Sequence, residues 1–537
     1  MASYGRGMTT IPAVRSTLPD VEIGGTGLHE FVLRHAERLG DKPALIDGAT
    51  GRELSYRRLA AGAERFAAGL RARGFQPGDV LALYSPNLPE YAIAAYGTMA
   101  AGGVVTGANP MLTPGELAGQ LTDAGARMLI TVPPLLDRAR AAADKAGVAD
   151  VVVFGEAPGA IPFRDLIEHR HPAVPPGAAG DGDLAALPYS SGTTGLAKGV
   201  ELTHAALVTH TRQSHAVLDF RSDDVVLAMA PFFHSMGFAV VLPSALAAGA
   251  TLVTQPRFEL DGFLALIQRY RVTQTIVVPP VALALAGHPL VDTYDLSSLR
   301  ALGVGAAPLT ADAEQRLADR LGCLAGQGLG MTEACALIAA GPLDSPRRGS
   351  VGRLVPNTEA RIVDPDSGAD LGAGRTGELW VRGPQLMRGY RDRPAETAAT
   401  IDAAGWLHTG DLCYFDEDGY LYVVDRLKEL IKCKGYQVAP AELELLLRTH
   451  PAVADAAVVP RPDPIAGEVP VAHVVLSGPA TADELLAYVA ERVAPYKRLR
   501  DVRITEAIPR SPAGKLLRRV LVDAERVFPA SPASSDQ

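Results

Sequence analysis

The sequence predicts an α/β protein: a large N-terminal domain with doubly wound sheets and a small β-subdomain, followed by an α+β C-terminal domain. Three observations carry this. From about residue 30, helix-like and strand-like segments alternate, the pattern of parallel sheets flanked by helices. Residues 91–108 and 225–256 carry no Asp, Glu, Lys or Arg. Gly97, Gly102 and Gly103 interrupt the first, and Pro231, His234 and Pro243 the second, so both read as buried strand–helix segments and not as membrane spans. Finally, 537 residues are too many for one hydrophobic core.

Taken in order, residues 1–27 form an N-terminal extension ahead of the large domain, 28–425. LSYRRLAAGAERFAAGLRARG is an amphipathic helix closed by Gly74, and DVLALYS is a buried strand. A helix through YAIAAYGTMAA, the strand VVTGA, the helix PGELAGQLTDAGA and the strand MLITV follow. Residues 200–330 repeat the pattern with VVLAMAP, FLALIQRYRV, TIVVPP and TADAEQRLADRLG. Dense turn signals mark a β-rich subdomain at 350–425. Residues 426–428 lead to a small domain, 429–520, with helices at AELELLLRTH and ADELLAYVAERV and strands at AAVVP and VAHVVL. The polar tail, 521–537, is expected to be disordered.

The net charge of −9 argues against a nucleic-acid partner. Four cysteines without metal-ligand spacing read as free thiols of a cytoplasmic protein. The start, MASYGRGMTTIPAVRS, has no apolar run of the kind a signal peptide needs. DEDG at 416–419 opens like a calcium loop but lacks the later ligands, so it reads as a hairpin turn.

The chemistry begins at YSSGTTGLAKG, residues 189–199, where eight of eleven residues are Gly, Ser, Thr or Lys. Amides and hydroxyls at this density suit phosphate oxygens, and Lys198 adds a positive charge. The order Gly-Lys-Ser/Thr of the P-loop is absent. The loop is expected between the strand LAALPYS and GVELTHAALVTHTRQ, which reads as helical.

This stretch resembles the phosphate loop of adenylate-forming acyl-CoA synthetases, in particular the 4-coumarate–CoA ligases. PFFHSMGF, GVGAAPL, GQGLGMTEA, GWLHTGD, VVDRLKELIKCKGYQVAPAELE and PRSPAGKLLRR follow in the family's order, so the likeness spans about residues 28–520. It implies the adenylate-forming enzyme fold, with a mobile C-terminal domain, and a two-step reaction. Carboxylate and ATP give acyl-AMP and pyrophosphate; the thiol of coenzyme A then displaces AMP. The first step brings two anions together, which demands cations around them.

By that resemblance Lys515 bridges the carboxylate and the α-phosphate, Thr332 contacts the α-phosphate, and Glu333 coordinates Mg²⁺. Ser190, Ser191, Gly192, Thr193, Thr194 and Lys198 hold phosphates. Gly305, Ala306, Gln327, Gly328 and Leu329 border the nucleotide, Asp411 and Arg426 hold the ribose, and Lys432 and Gln437 bind the adenylate. His234 orients the acyl carboxylate. Arg257, Lys434 and Gly435 serve coenzyme A, and Lys428 is the hinge at which rotation exchanges the two half-reactions.

The acyl positions His234, Met236, Ala239, Gly303, Gly305, Ala306, Gly328, Ala336 and Leu337 are mostly small and include no acidic residue, lysine or arginine. Met236 stands where hydroxycinnamate-using members carry tyrosine, which points away from 4-coumarate and towards a bulky hydrophobic aryl or polycyclic acid. Leu329 replaces a tyrosine that stacks on adenine, and Ala197 replaces a proline. The expected activity is therefore an acid–CoA ligase for such an acid. The alternative is an adenylating enzyme that passes the acyl group to a partner or carrier protein. A homodimer is compatible with either.

Overall fold

The computed structural model describes residues 12–168, 172, 174, 180–190, 197–341, 346–433, 436–463, 466–493, 495–511, 514 and 516–527. The chain divides into a larger unit, 13–360 with 380–408, and a smaller unit, 361–379 with 409–537 and 1–12.

Local sequence explains the helices of the larger unit. Ser55 caps Tyr56–Ala72 by accepting from the Arg58 amide at 3.3 Å, and Leu59, Ala63, Phe66 and Leu70 supply its buried stripe. The chain leaves the helix through Gly74 at φ +79°. Thr113 and Glu116 cap Pro114–Ala124 reciprocally, and Gly125 ends it in the left-handed region. The fully buried strand Val80–Tyr84 lies parallel between Val104–Ala108 and Ala126–Thr131, as the alternation predicts.

A second sheet contains the parallel run Gln274–Val277, Ala301–Val304 and Leu324–Met331, with Ala336–Ala340 turning back antiparallel to the last. The motifs GVGAAPL and GQGLGMTEA therefore fall at the carboxyl ends of parallel strands, where α/β sheets bind ligands. The charge-free stretch 225–256 contributes strands Val225–Ala228 and Thr251–Thr254, joined through a π-helical turn, Met236–Val241, and the helix Leu242–Ala248. It belongs to the core. No helix among the described residues is long and apolar enough to cross a membrane.

Two expectations require correction. KGVELT does not begin a helix: Lys198–Thr203 is a strand, antiparallel to Tyr189–Ser190, and the helix starts only at His204. The reason is a period of two, with Val200 and Leu202 inward and Glu201 and Thr203 less buried, before Thr203 caps the helix through the Ala206 amide. The described ends of the phosphate-loop motif thus lie on two paired strands, and the first described helix after it begins at His204. The tail is not disordered from 521, because Arg518–Val527 is helical and buries Leu521 and Glu525.

In the smaller unit, helices Pro440–Arg448 and Ala482–Ala490 accompany a sheet containing Val453–Asp463 and Gly467–Leu476. DEDG is the expected hairpin turn between Leu407–Phe415 and Leu421–Arg426, closed by Asp416 and by Gly419 at φ +79°. Asp425 ties this hairpin to the following helix, accepting from the Arg426 amide at 2.6 Å and the Ala441 amide at 2.8 Å. Burial pushes its carboxyl up to about 6, against the lowering effect of those bonds.

A carboxyl that keeps its proton to higher pH when folded stabilises most below its ordinary value of 3.8, and loses that contribution as pH rises to about 6. Asp425→Asn should remove this slope. The stability difference between variant and wild type, read by chemical denaturation, should change across that window and level off above it; a constant difference contradicts the assignment.

Candidate active site

The phosphate-loop motif is anchored at both ends. Ser190 lies opposite Lys198, and Tyr189 opposite Gly199, across the antiparallel pair. The Tyr189 hydroxyl donates to Asp123 Oδ2 at 2.6 Å, and Asp123 Oδ1 accepts from Arg393 Nη2 at 2.9 Å. The Ser190 hydroxyl is buried with no hydrogen-bond partner among the described residues, as a group awaiting a ligand oxygen would be. Ser191, Gly192, Thr193, Thr194, Lys434, Gly435 and Lys515 lie outside the described residues.

Beside this motif Glu333 is buried, and its Oε1 accepts from the Tyr390 hydroxyl at 2.8 Å. Lys198 Nζ stands 4.6 Å from the centre of the Tyr390 ring. Register explains the meeting: Lys198–Thr203 also pairs with Gly389–Tyr390, placing Val200 opposite Tyr390. Burial and the adjacent Glu333 push the Tyr390 phenol up, so it acts as a donor. Thr332 Oγ1 lies 3.4 Å from Ser235 Oγ, bringing the Thr-Glu pair next to the segment that carries His234. His234 Nδ1 accepts from the Met236 amide at 3.3 Å, so the neutral ring carries its proton on Nε2.

A cavity enclosing about 720 Å³, its opening to solvent included, lies at these strand ends. Of the positions expected at the acyl group, His234, Met236, Gly303, Gly305, Ala306, Gly328, Ala336 and Leu337 line it, together with Leu329, expected at the nucleotide. Ala239 does not; its carbonyl instead accepts from His210. Gln327 also borders the cavity, but its side chain is engaged elsewhere: Oε1 accepts from the Leu309 amide at 2.7 Å and Nε2 donates to Glu314 at 2.7 Å. Sequence reasoning missed Val217, Leu218, Val240 and Ile276 on the same wall, whose aliphatic side chains carry no motif. It also missed Tyr390, since a Gly-Tyr pair in a two-residue strand gives no periodic signal.

Backbone geometry shapes the wall. Ala306 at φ +74°, Cys335 at +59° and Ala336 at +142° are non-glycine residues in positive-φ conformations, each costing about 1–3 kcal/mol. The turn at 335–336 presses the Ala336 carbonyl against Gly330, where a Cβ would stand 1.5 Å from that oxygen. A Cβ on Gly305 would stand 2.7 Å from Met236 Cε, so the methionine end covers this glycine.

Other expected residues fall elsewhere. Asp411 and Arg426 face each other in the smaller unit's hairpin, Arg426 Nε 3.0 Å from Asp411 Oδ1, with Gly410 at φ +70° just before. Lys432 and Gln437 are partners across the antiparallel strands Ile431–Cys433 and Tyr436–Val438. Lys428 lies in the short turn Leu427–Glu429. Arg257 is exposed in the larger unit, 4.0 Å from Glu259.

A hydroxyl- and glycine-rich motif whose described ends are paired strands carrying Ser190 and Lys198, a Thr-Glu pair with its glutamate buried, and an apolar cavity at parallel strand ends define an adenylate-forming enzyme. The chain belongs to the AMP-binding enzyme family, whose profile matches residues 32–391, while that of the AMP-binding enzyme C-terminal domain matches 442–515. It is 42% identical over 521 residues to 4-coumarate–CoA ligase 3 of Oryza sativa subsp. japonica, covering 94% of each chain. It is 42% identical over 530 residues to 4-coumarate–CoA ligase of Pinus taeda, covering 94% of this chain and 96% of that one. Among solved structures, the anthranilate CoA ligase AuaEII in complex with anthranoyl-AMP superimposes with a TM-score of 0.88 at 26% identity, covering 94% of this chain and 98% of that one. A benzoate CoA ligase from Burkholderia xenovorans LB400 gives 0.84 at 28% identity, covering 92% and 99%. The chain is thus an AMP-forming acid–CoA ligase of this family.

Gly330→Ala should lower stability by at least about 1–3 kcal/mol, because the added methyl meets backbone that cannot swing aside. The denaturant midpoint measures this, and an unchanged midpoint contradicts the close approach.

Proposed function

We propose that this ligase activates a bulky hydrophobic aryl or polycyclic acid, in the cytoplasm. The observation that carries the reading is the cavity wall: mostly glycines, alanines and aliphatic residues, with Ser235 and Gln327 its polar members, Met236 lying over Gly305, and His234 as its sole titratable side chain among the described residues. Small walls leave volume to the substrate, and a methionine end moves aside more readily than a ring. The apolar interior rewards an acyl group without charge.

The reaction follows from the charges. A carboxylate oxygen attacks the α-phosphorus of ATP, forming the acyl–phosphate bond as the bond to pyrophosphate breaks. In our reading Lys198 and the Ser190 hydroxyl hold phosphate oxygens, Thr332 contacts the α-phosphate, and Lys515 bridges the two anions. Glu333 suits Mg²⁺: it is a single buried carboxylate fixed by Tyr390, and Mg²⁺ is usually held by one or two carboxylates plus substrate phosphates. Bound there, the ion would neutralise charge on the phosphates. Asp411 and Arg426 hold the ribose, Lys432 and Gln437 the adenylate. Rotation about Lys428 then withdraws Lys515 and presents Lys434 and Gly435. The coenzyme A sulfur attacks the acyl carbon and AMP leaves with the electron pair of the broken bond. Arg257, exposed and charged, is available to a coenzyme A phosphate.

Lys515→Ala should lose about 10²–10³ in adenylation rate, the usual cost of one preorganised charge, yet keep thioester formation from supplied acyl-AMP. Equal losses in both half-reactions, measured separately, contradict the rotation.

Met236→Tyr tests the substrate reading. A ring over Gly305 should cost a bulky acid about 1–3 kcal/mol of binding, while planar hydroxycinnamates suffer less. The readout is the ratio of kcat/KM for a polycyclic acid to that for 4-coumarate. A wild type that prefers 4-coumarate by a wide margin would make the chain a hydroxycinnamate ligase despite its methionine.

A further inference from the structure

His210 sits in the helix His204–Leu218, fully buried and outside the cavity lining. Both ring nitrogens are committed to backbone. Nδ1 lies 3.1 Å from the Ala239 carbonyl oxygen, and Nε2 accepts from the Leu337 amide at 2.9 Å. A carbonyl only accepts and an amide N–H only donates, so the ring must be neutral with its proton on Nδ1. Its burial, which lowers the imidazole to about 4, agrees.

The first bond has a cause in the sequence. Pro243 stands four residues after Ala239 and has no N–H, so an α-helical bond from that position to the Ala239 carbonyl is ruled out, and His210 donates to this oxygen. Ala239 lies in the π-helical turn between the cavity residues Met236 and Val240, and Leu337 lines the cavity from the strand Ala336–Ala340, which packs against that turn. One imidazole therefore ties together two neighbouring parts of the wall of the cavity in which we place the acyl group.

We propose that His210 is a positioning residue for acyl selectivity: it touches no substrate, but by joining the Ala239 carbonyl to the Leu337 amide it sets the width of the acyl cavity. The inference rests on the cavity being the acyl site.

The test is kcat/KM for acids of graded size, with KM for ATP, in wild type, His210→Ala, His210→Phe and His210→Gln. Loss of both bonds in the alanine and phenylalanine variants should change the ratio of polycyclic acid to 4-coumarate by about tenfold or more, with KM for ATP unchanged. Glutamine, which keeps one donor and one acceptor, should bring the ratio back towards wild type. A uniform fall for every acid, the result expected of a merely structural histidine, overturns the proposal. Should the alanine and phenylalanine variants not fold, His210→Gln against the shorter His210→Asn makes the same comparison, and equal ratios overturn it. If wild type activates no acid, the acyl-site reading fails on its own. Crystal structures of the two amide variants then decide: the Ala239–Leu337 separation should be kept by glutamine and altered by asparagine, and equal separations overturn the proposal.

Discussion

The hydrogen bond from Tyr390 to Glu333 is the contact on which the site's arrangement depends. A polar group taken out of water costs free energy unless it is partnered, and Glu333 is held deep in the larger unit. Its partner comes from a two-residue strand whose place is fixed by pairing with Lys198–Thr203, so the carboxylate, the tyrosine and Lys198 are set by one register. Shifting that register by one residue would turn Lys198 away from the ring and remove the donor from the carboxylate. The strand that follows the phosphate-loop motif, Lys198–Thr203, consequently also braces the proposed metal ligand.

The cavity wall shows a second constraint, close backbone approach. Gly330 admits the Ala336 carbonyl, and strained conformations at Cys335 and Ala336 put it there. Such strain persists only where surrounding structure over-determines it. Here the antiparallel return of Ala336–Ala340 and the His210 bond to Leu337 supply that support. The same small residues that permit this folding line the cavity in which we place the acyl group, so in the proposed reading selectivity and packing share one group of positions.

Much of this was legible in the sequence. The α/β class follows from alternating elements such as Tyr56–Ala72 and Val80–Tyr84, whose periodicity and capping are local. The cavity positions follow from motifs at strand ends. What escaped depends on long-range pairing or single atoms. KGVELT reads as the start of a helix because Thr-His-Ala-Ala-Leu follows, whereas its alternating burial is decided by strands distant in sequence. Tyr390 joins the site only through that pairing. His210 looks like any histidine on an apolar helix until its two backbone partners, the Ala239 carbonyl and the Leu337 amide, are seen. The helical span at 521–527 is amphipathic, yet the polar residues after it dominate a composition-based reading.

The most direct test of the central claim is a crystal structure of the full chain with a non-hydrolysable acyl-adenylate analogue, an acyl-sulfamoyl adenosine carrying a bulky aryl group. The account predicts the acyl group in the cavity, in contact with Met236, Gly305 and Leu337, the sulfamoyl group beside Thr332, and the Met236 side chain displaced from Gly305. An acyl group bound outside this cavity, or one admitted only when small and polar, would contradict it.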